Sequence, residues 1–370
     1  MKIAIGADFH IGSRADIKKY YEEELVNFVK EVKERKVDLI VIDGDLYDKR
    51  ISTNSDFNTY ANLFINELAD YCMYSGARLF ILKGTMSHDL YQLDSFIYLT
   101  KDPKKNTFIF NTCQEVFYNN CNFLIIPEEY ESSKEEYYKD TIYNPDKKYD
   151  FVFGHGMFTF AGGYATESGK NNHIVFTTDD FKDNVYGLVV FGHIHIRMRK
   201  NNCLYPGSYS RDSFGEEEPK GFIYIEYDEK NHKVKKEEFV ENKNAPIYKT
   251  INAVDVPEED IGVFIKKELE TCERLRIIID SDITEEKYNN LKACSYDNNN
   301  LFLYKRMRGL SKKAEEEKDK EIEQHRKERR ELIEKYSKMD FYEITTNFIK
   351  DKYGVEISRD EIKESIAWDL

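Results

Sequence analysis

Val37-Asp-Leu-Ile-Val-Ile-Asp-Gly-Asp-Leu-Tyr-Asp48 decides the fold. Val37–Ile42 is a short β-branched apolar run with the length of a buried strand, and Gly44, Asp45 and Asp48 after it are too polar to continue one, so they belong to a strand-end loop. The same unit recurs at Lys2–Gly6, Arg78–Leu82, Asp150–Phe153 and Leu188–Phe191, each run followed at once by a cluster of Asp, His or Gly. Amphipathic stretches separate the runs. Up to about residue 240 the pattern is therefore that of an α/β layered domain with its polar residues on loops at strand ends, where such folds carry their sites.

Composition narrows the classes. A chain of 370 residues exceeds what one hydrophobic core usually serves, so two or more domains are expected. The formal net charge of −14 argues against bulk electrostatic coating of nucleic acid; attraction to DNA would need a local patch, a metal site or a partner. Cys72, Cys113, Cys121, Cys203, Cys272 and Cys294 form no C-x-x-C pair, which fits neither a disulfide framework nor a thiolate zinc site. The first carboxylate, Asp8, comes too early for a signal sequence and no apolar run has the length of a membrane span, so a soluble cytoplasmic protein is expected.

Four regions follow: 1–240, the layered α/β domain; 246–306, a small α+β domain; 307–340, a charged helical linker; and 341–370, a helical hairpin. The small domain reads as a helix at Val263–Cys272 and strands at Leu275–Ile279 and Leu301–Tyr304. Lys312–Lys335 carries mixed charges at i, i+4 spacing, the pattern of a solvated helix. Phe341, Ile344, Phe348 and Ile349 form an apolar stripe at helical spacing. Ser358-Arg-Asp-Glu361 then matches a capping box opening a helix with Ile362, Ile366 and Trp368. Such a hairpin either packs on its own chain or docks a partner.

The strand-end clusters carry the chemistry. Asp8-Phe9-His10 sets a carboxylate and an imidazole two residues apart, able to face one metal. Gly44-Asp45-Leu46-Tyr47-Asp48 offers a carboxylate free to bridge two cations. Ser87-His88-Asp89, Gly154-His155 and Gly192-His193-Ile194-His195 add imidazoles at the same rim. Each motif alone also fits a turn, a helix cap or a structural histidine. Together they place five of the eight histidines at strand ends, while His173, His232 and His325 lack such context and read as surface or structural residues. A mixed Asp/His set suits two first-row divalent ions, Mn, Fe or Zn, more than Mg or Ca. Such a pair, about 3.5–4 Å apart, activates water and grips phosphoryl oxygens during phosphoester hydrolysis. His88 is then the charge stabiliser or general acid, with Asp48 orienting its other ring nitrogen.

This ordered series, D-x-H, G-D-x-x-D, H-D, G-H and G-H-x-H, resembles the calcineurin-like metallophosphoesterases. Leu204-Tyr-Pro-Gly-Ser208, Ser213-Phe-Gly-Glu216 and Lys220-Gly-Phe222 are further similar to the SbcD-type, meiotic-recombination-type exonuclease subunits. The resemblance implies a layered α/β/β/α sandwich with a small α+β capping domain and a C-terminal helical hairpin that docks on an SbcC-type coiled-coil ATPase through Phe341, Ile344, Phe348, Ile349, Ile362 and Ile366. It also implies a homodimer and a DNA nuclease using two divalent ions, with Mn expected. One ion would be held by Asp8, His10, Asp45 and His195, the other by Asp45, His155, His193 and the residue before His88. That residue is Ser87 here, where the family carries asparagine, so weaker binding at the second site is expected.

Arg14, Lys49, Arg50, Lys83, Arg197, Arg199 and Lys200 flank the motif loops and, as a ring around one cleft, would contact phosphates without base readout. Two other readings share the motifs: a small-substrate phosphoesterase, either a cyclic-nucleotide phosphodiesterase or a phosphatase, and a weakly active scaffold subunit.

Overall fold

The computed structural model describes residues 1–305, apart from 15, 102–105, 132, 163–173 and 281–282, together with 343, 345, 346, 350, 356–358, 360 and 361. The chain divides into two units, Met1–Tyr304 and Lys305–Leu370.

The first expected strands are β1 (Lys2–Gly6), β2 (Leu39–Asp43) and β3 (Arg78–Leu82), within two residues of their sequence-read bounds. They pair in parallel and extend to β4 (Thr107–Phe110). A second sheet contains β5 (Gln114–Tyr118), β6 (Cys121–Ile126), β7 (Phe151–His155), β10 (Val189–Gly192), β11 (Met198–Lys200) and β12 (Cys203–Tyr205), with β8 (Met157–Phe158) and β9 (Val175–Phe176) pairing separately. The chain then returns to the first sheet as β13 (Gly221–Asp228) and β14 (Lys233–Glu241), giving the order β14-β13-β1-β2-β3-β4 against β11-β12-β10-β7-β6-β5.

The central strands β1, β2, β3, β6, β7 and β10 read as apolar runs because both their faces are covered. Ile3, Ile5, Leu39, Val41, Phe80 and Leu82 point from the first sheet into a shared core, and Phe123, Ile125, Phe151, Phe153 and Val190 meet them from the second. The alternate residues Ala4, Ile40, Ile42, Leu79 and Ile81 face α2 (Val26–Arg35), which follows the one-turn α1 (Ile17–Tyr20), and α3 (Asp56–Ser75). Leu124, Val152, Val189 and Phe191 face a third cluster, beside the one-turn α4 (Lys134–Tyr137), that includes Tyr138 and Phe176. This is the expected metallophosphoesterase sandwich. Each fully buried Ile, Leu, Val or Phe contributes about 1.5–3 kcal/mol, and a one-residue register slip would turn a strand's side chains to the wrong layer.

Helix α3 has sharp ends for local reasons. Ser55 Oγ accepts from Asn58 N at its start, and Gly76 at φ 83° closes it in the left-handed region.

After the sandwich, β15 (Tyr248–Asn252), β16 (Arg274–Ile279) and β17 (Leu301–Lys305) form a three-stranded sheet with its own core, in which Leu275, Ile277 and Ile279 meet α5 (Ile261–Leu269) and α6 (Glu285–Asp297). Phe214 leans on Tyr248 and Phe302 at ring distances of 5.5 and 5.7 Å, and Lys19 pairs with Glu273 at 2.8 Å. In the second unit, Ser358 and Glu361 exchange the capping-box hydrogen bonds, 2.7 Å from Ser358 N to Glu361 Oε2 and 3.3 Å from Glu361 N to Ser358 Oγ. The charged run and the docking stripe of Phe341, Ile344, Phe348, Ile349, Ile362 and Ile366 lie outside the described residues. No helix among the described residues is long and apolar enough to cross a membrane.

Candidate metal centre

Because β1, β2 and β3 run parallel, and β10, β7 and β6 do likewise, each sheet gathers its strand ends at one edge. The loops after β1 and β2 are zipped together: Asp8 N donates to Gly44 O at 3.2 Å, His10 N to Asp45 O at 3.0 Å, and Asp48 N to Ile11 O at 3.1 Å. Asp8, His10, Asp45 and His193 all adopt positive φ, between 46° and 97°. Such conformations cost about 1–3 kcal/mol each in non-glycine residues and persist where the surroundings enforce them. Gly44, at φ 80°, lies so close to His155 that a Cβ would fall 2.0 Å from its Nδ1.

Two donor sets result. Asp8, His10 and His195 form one; Asp45, His155 and His193 form the other. Within the first, His10 Nε2 and His195 Nε2 face each other at 2.9 Å. Two cis nitrogens on an ion at 2.0–2.1 Å stand about 3.0 Å apart, so this spacing suits a shared cation. His195 is oriented from behind, its Nδ1 3.0 Å from Glu216 Oε1. Burial opposes the Glu216 charge, but His195 and Lys220 prevail and lower its pKa to about 2. Lys220 Nζ is itself anchored 2.8 Å from His195 O.

In the second set, His155 Nδ1 lies 2.9 Å from Asp43 O. A carbonyl only accepts, so Nδ1 carries the proton and Nε2 presents its lone pair. That Nε2 is buried without a hydrogen bond, 3.2 Å from Asp45 Oδ2 and 3.9 Å from Asp8 Oδ1, which makes the two sets contiguous. Asp8 also accepts from His193 N through both oxygens, at 2.9 and 3.1 Å.

The cluster is strongly anionic. Burial works against a charged His10, yet Asp48, Asp212, Asp45 and Asp8 lift its pKa to about 9. His155 is likewise pushed up against its burial, chiefly by Asp45. Asp45 is held low by His155 despite burial. Carboxylates that recruit imidazolium partners so strongly are a donor set suited to divalent cations. A third group, His10, Asp48 and His88, borders the first, with the His10 and His88 rings 4.9 Å apart.

Three expectations change. Ser87 is exposed, and the hydroxyl that reaches the second donor set belongs to Thr85, 3.0 Å from Asp45 Oδ2 and 3.3 Å from His193 Nδ1. The reason is the turn: His88 N and Asp89 N both bond Thr85 O, so the residue after Gly84 turns in and Ser87 turns out. Asp48 does orient His88, but through its main-chain carbonyl, which His88 Nδ1 contacts, whereas its carboxylate lies 3.6 Å from His10 Nδ1.

The cationic ring is also thinner than expected. Arg14 is buried against Glu24 and Ser210; Lys83 Nζ bonds Asn111 O at 2.9 Å; Arg197 lies over the Phe239 ring; Arg199 pairs with Glu237 at 2.8 Å. Lys49, Arg50 and Lys200 are exposed, Lys49 standing 3.7 Å from Asp48. His232 is structural as expected, bonding Asp150 at 2.7 Å and packing on Tyr186. His173 and His325 lie outside the described residues.

Sequence reasoning missed Thr85, Glu128, Glu216 and Asp89. Asp89 is buried and accepts from Gly84 N and Tyr47 N at 2.8 and 3.1 Å, tying two motif loops together, and burial next to Asp45 pushes its pKa up to about 7. Glu128 lies 3.4 Å from His193 Nδ1.

Residues 1–197 match the family described as calcineurin-like phosphoesterase. Among solved structures, one crystal structure is similar at 14% identity over 64% of this chain and 98% of its own, with a TM-score of 0.36. A dimetal phosphatase from Danio rerio is similar at 10% identity over 61% of this chain and 92% of its own, with a TM-score of 0.31.

Proposed function

The chain belongs to the calcineurin-like phosphoesterase family, and from that premise we propose that it is a two-ion DNA nuclease, cutting phosphodiester bonds without regard to sequence. The observation that carries the hydrolytic part is the pair of contiguous Asp/His donor sets beside His88. Asp8, His10 and His195 would hold one divalent ion and Asp45, His155 and His193 the other; the mixed oxygen and nitrogen donors suit Mn, Fe or Zn, and the family resemblance points to Mn. Two bound ions supply Lewis acidity and an activated water for in-line attack on phosphorus.

The protein's own groups do the rest. Donation from Nδ1 to the Asp48 carbonyl orients the His88 ring, and in its imidazolium form the second proton, on Nε2, would pass to the leaving oxygen, leaving neutral imidazole. Glu216 and the Asp43 carbonyl fix the tautomers of His195 and His155, so that each presents a lone pair to its ion.

The DNA substrate, and assembly as a homodimer with a coiled-coil ATPase docked on the C-terminal helices, rest on the Leu204–Ser208, Ser213–Glu216 and Lys220–Phe222 segments. Exposed Lys49, Arg50 and Lys200 would contact phosphates. A small-substrate phosphoesterase is the second reading, favoured by the internal engagement of Arg14, Lys83 and Arg199. Incubating the purified chain with linear duplex and single-stranded DNA, and separately with a bis-aryl phosphodiester and an aryl phosphomonoester, under Mn, Mg or chelator, separates the two. DNA cleavage that needs metal is the expected result; reporter turnover with intact DNA would replace the nuclease reading by the second.

A further inference from the structure

Glu128 follows β6 and belongs to none of the recurring histidine and aspartate motifs. Its side chain is only 3% exposed, and Oε2 lies 3.4 Å from His193 Nδ1 and 3.7 Å from His155 Nε2. The same oxygen is 2.9 Å from the Thr85 hydroxyl, which in turn is 3.0 Å from Asp45 Oδ2. A hydroxyl has one proton, so Thr85 can donate to only one of these two carboxylates at a time. Glu128 Oε2 thus lies beside both imidazoles of the second donor set, and one of its two neighbours, His155 Nε2, is buried without a hydrogen bond. Thr85 is neutral and short; the group on this side with both the reach and the charge to ligate an ion is Glu128.

We infer that Glu128 Oε2 is the fourth protein ligand of the second ion, completing the set of Asp45, His155 and His193, with the Thr85 hydroxyl as its orienting donor. The inference rests on the two-ion reading above. It answers the lack of an amide ligand before His88 with a different chemistry, since a carboxylate adds an anionic, hard oxygen where an amide would add a neutral one. Such a site holds its ion more tightly and leans toward Mn over softer competitors. The loss expected from Ser87 at the second site is thereby offset by a residue about forty positions further along the chain.

Equilibrium dialysis of the full-length chain against Mn, with bound ions counted per chain, tests this without reference to activity. The native chain is expected to bind two ions. Glu128→Gln, nearly isosteric, should keep the first and weaken the second by about 100-fold or more, beyond what loss of an outer-shell partner usually costs. A smaller loss with two ions still bound overturns the role of Glu128 and leaves the two-ion reading standing. Fewer than two ions on the native chain overturns both. If Glu128→Gln does not fold, Glu128→Asp, which keeps the charge but withdraws the oxygen by one methylene, carries the same expectation and the same threshold.

Discussion

Replacing Arg14 by Ala separates a buried brace from a phosphate contact. Its guanidinium, 11% exposed, meets Glu24 and Ser210, donates to Arg211 O at 3.1 Å and stacks 4.3 Å over Tyr20. Tyr20 in turn holds the loop of Asp8 and His10 by donating to Phe9 O at 2.7 Å. Removing Arg14 leaves the Glu24 carboxylate buried with only the neutral donors Ser210 and Asn242, at 2.5 and 2.7 Å. Breaking one side of a buried pair costs about 3–5 kcal/mol. At roughly 2 °C per kcal/mol for a unit of this size, the melting temperature should fall by about 6–10 °C.

The loss should depend on pH. Burial raises the Glu24 pKa above its ordinary 4.5 even with Arg14 opposing it, and without Arg14 it rises further. A raised folded-state pKa makes the charged carboxylate a liability, so the variant should lose stability progressively as pH climbs from about 4.5 through that raised value, and least below it. Glu24→Gln in the same chain should recover much of the loss. Calorimetry across pH, alongside DNA binding across salt, is the assay. An unchanged melting temperature, together with DNA affinity whose logarithmic salt slope shrinks by about one, would refute the brace and restore Arg14 as a phosphate ligand.

Other outcomes follow from the same geometry. His88→Asn should lower kcat by about 10²–10⁴ with the count of bound Mn unchanged, read by steady-state kinetics beside dialysis; undiminished turnover removes its role as proton donor. Gly44→Ala drives a Cβ to within 2.0 Å of His155 Nδ1 at a φ of 80°, so it should displace that ligand and abolish binding of the second ion, as the Mn count would report. Glu216→Gln should weaken the first ion by about 10–100-fold and spare the second, because the candidate ligand that Glu216 orients is His195, 3.0 Å away, in the first donor set.

How much of this was legible beforehand follows from particular residues. A strand buried on both faces must be an unbroken apolar run, and the chain must break that run with polar residues where the strand leaves the core. Lys2–Gly6 and Arg78–Leu82 were therefore readable to the residue, and Asp8, His10, Asp45, His155, His193 and His195 stood out as donors because each immediately follows such a run. Cys121–Ile126 is also an apolar run followed by a carboxylate, Glu128, and the same rule applied once more would have found it.

The sequence alone thus determined the layered architecture and brought out most of the candidate donors, since strand periodicity and ligand chemistry are local properties of the chain. Tertiary structure decided which hydroxyl turns inward, because the turn from Thr85 to Asp89 sets that direction and spacing from His88 does not. It decided that Asp48 holds His88 by its carbonyl, and that Arg14 pairs with Glu24, because such partners are chosen by the packing of segments remote in sequence: Ser210 and Asn242, which close around Glu24, lie about 190 and 220 residues from it along the chain.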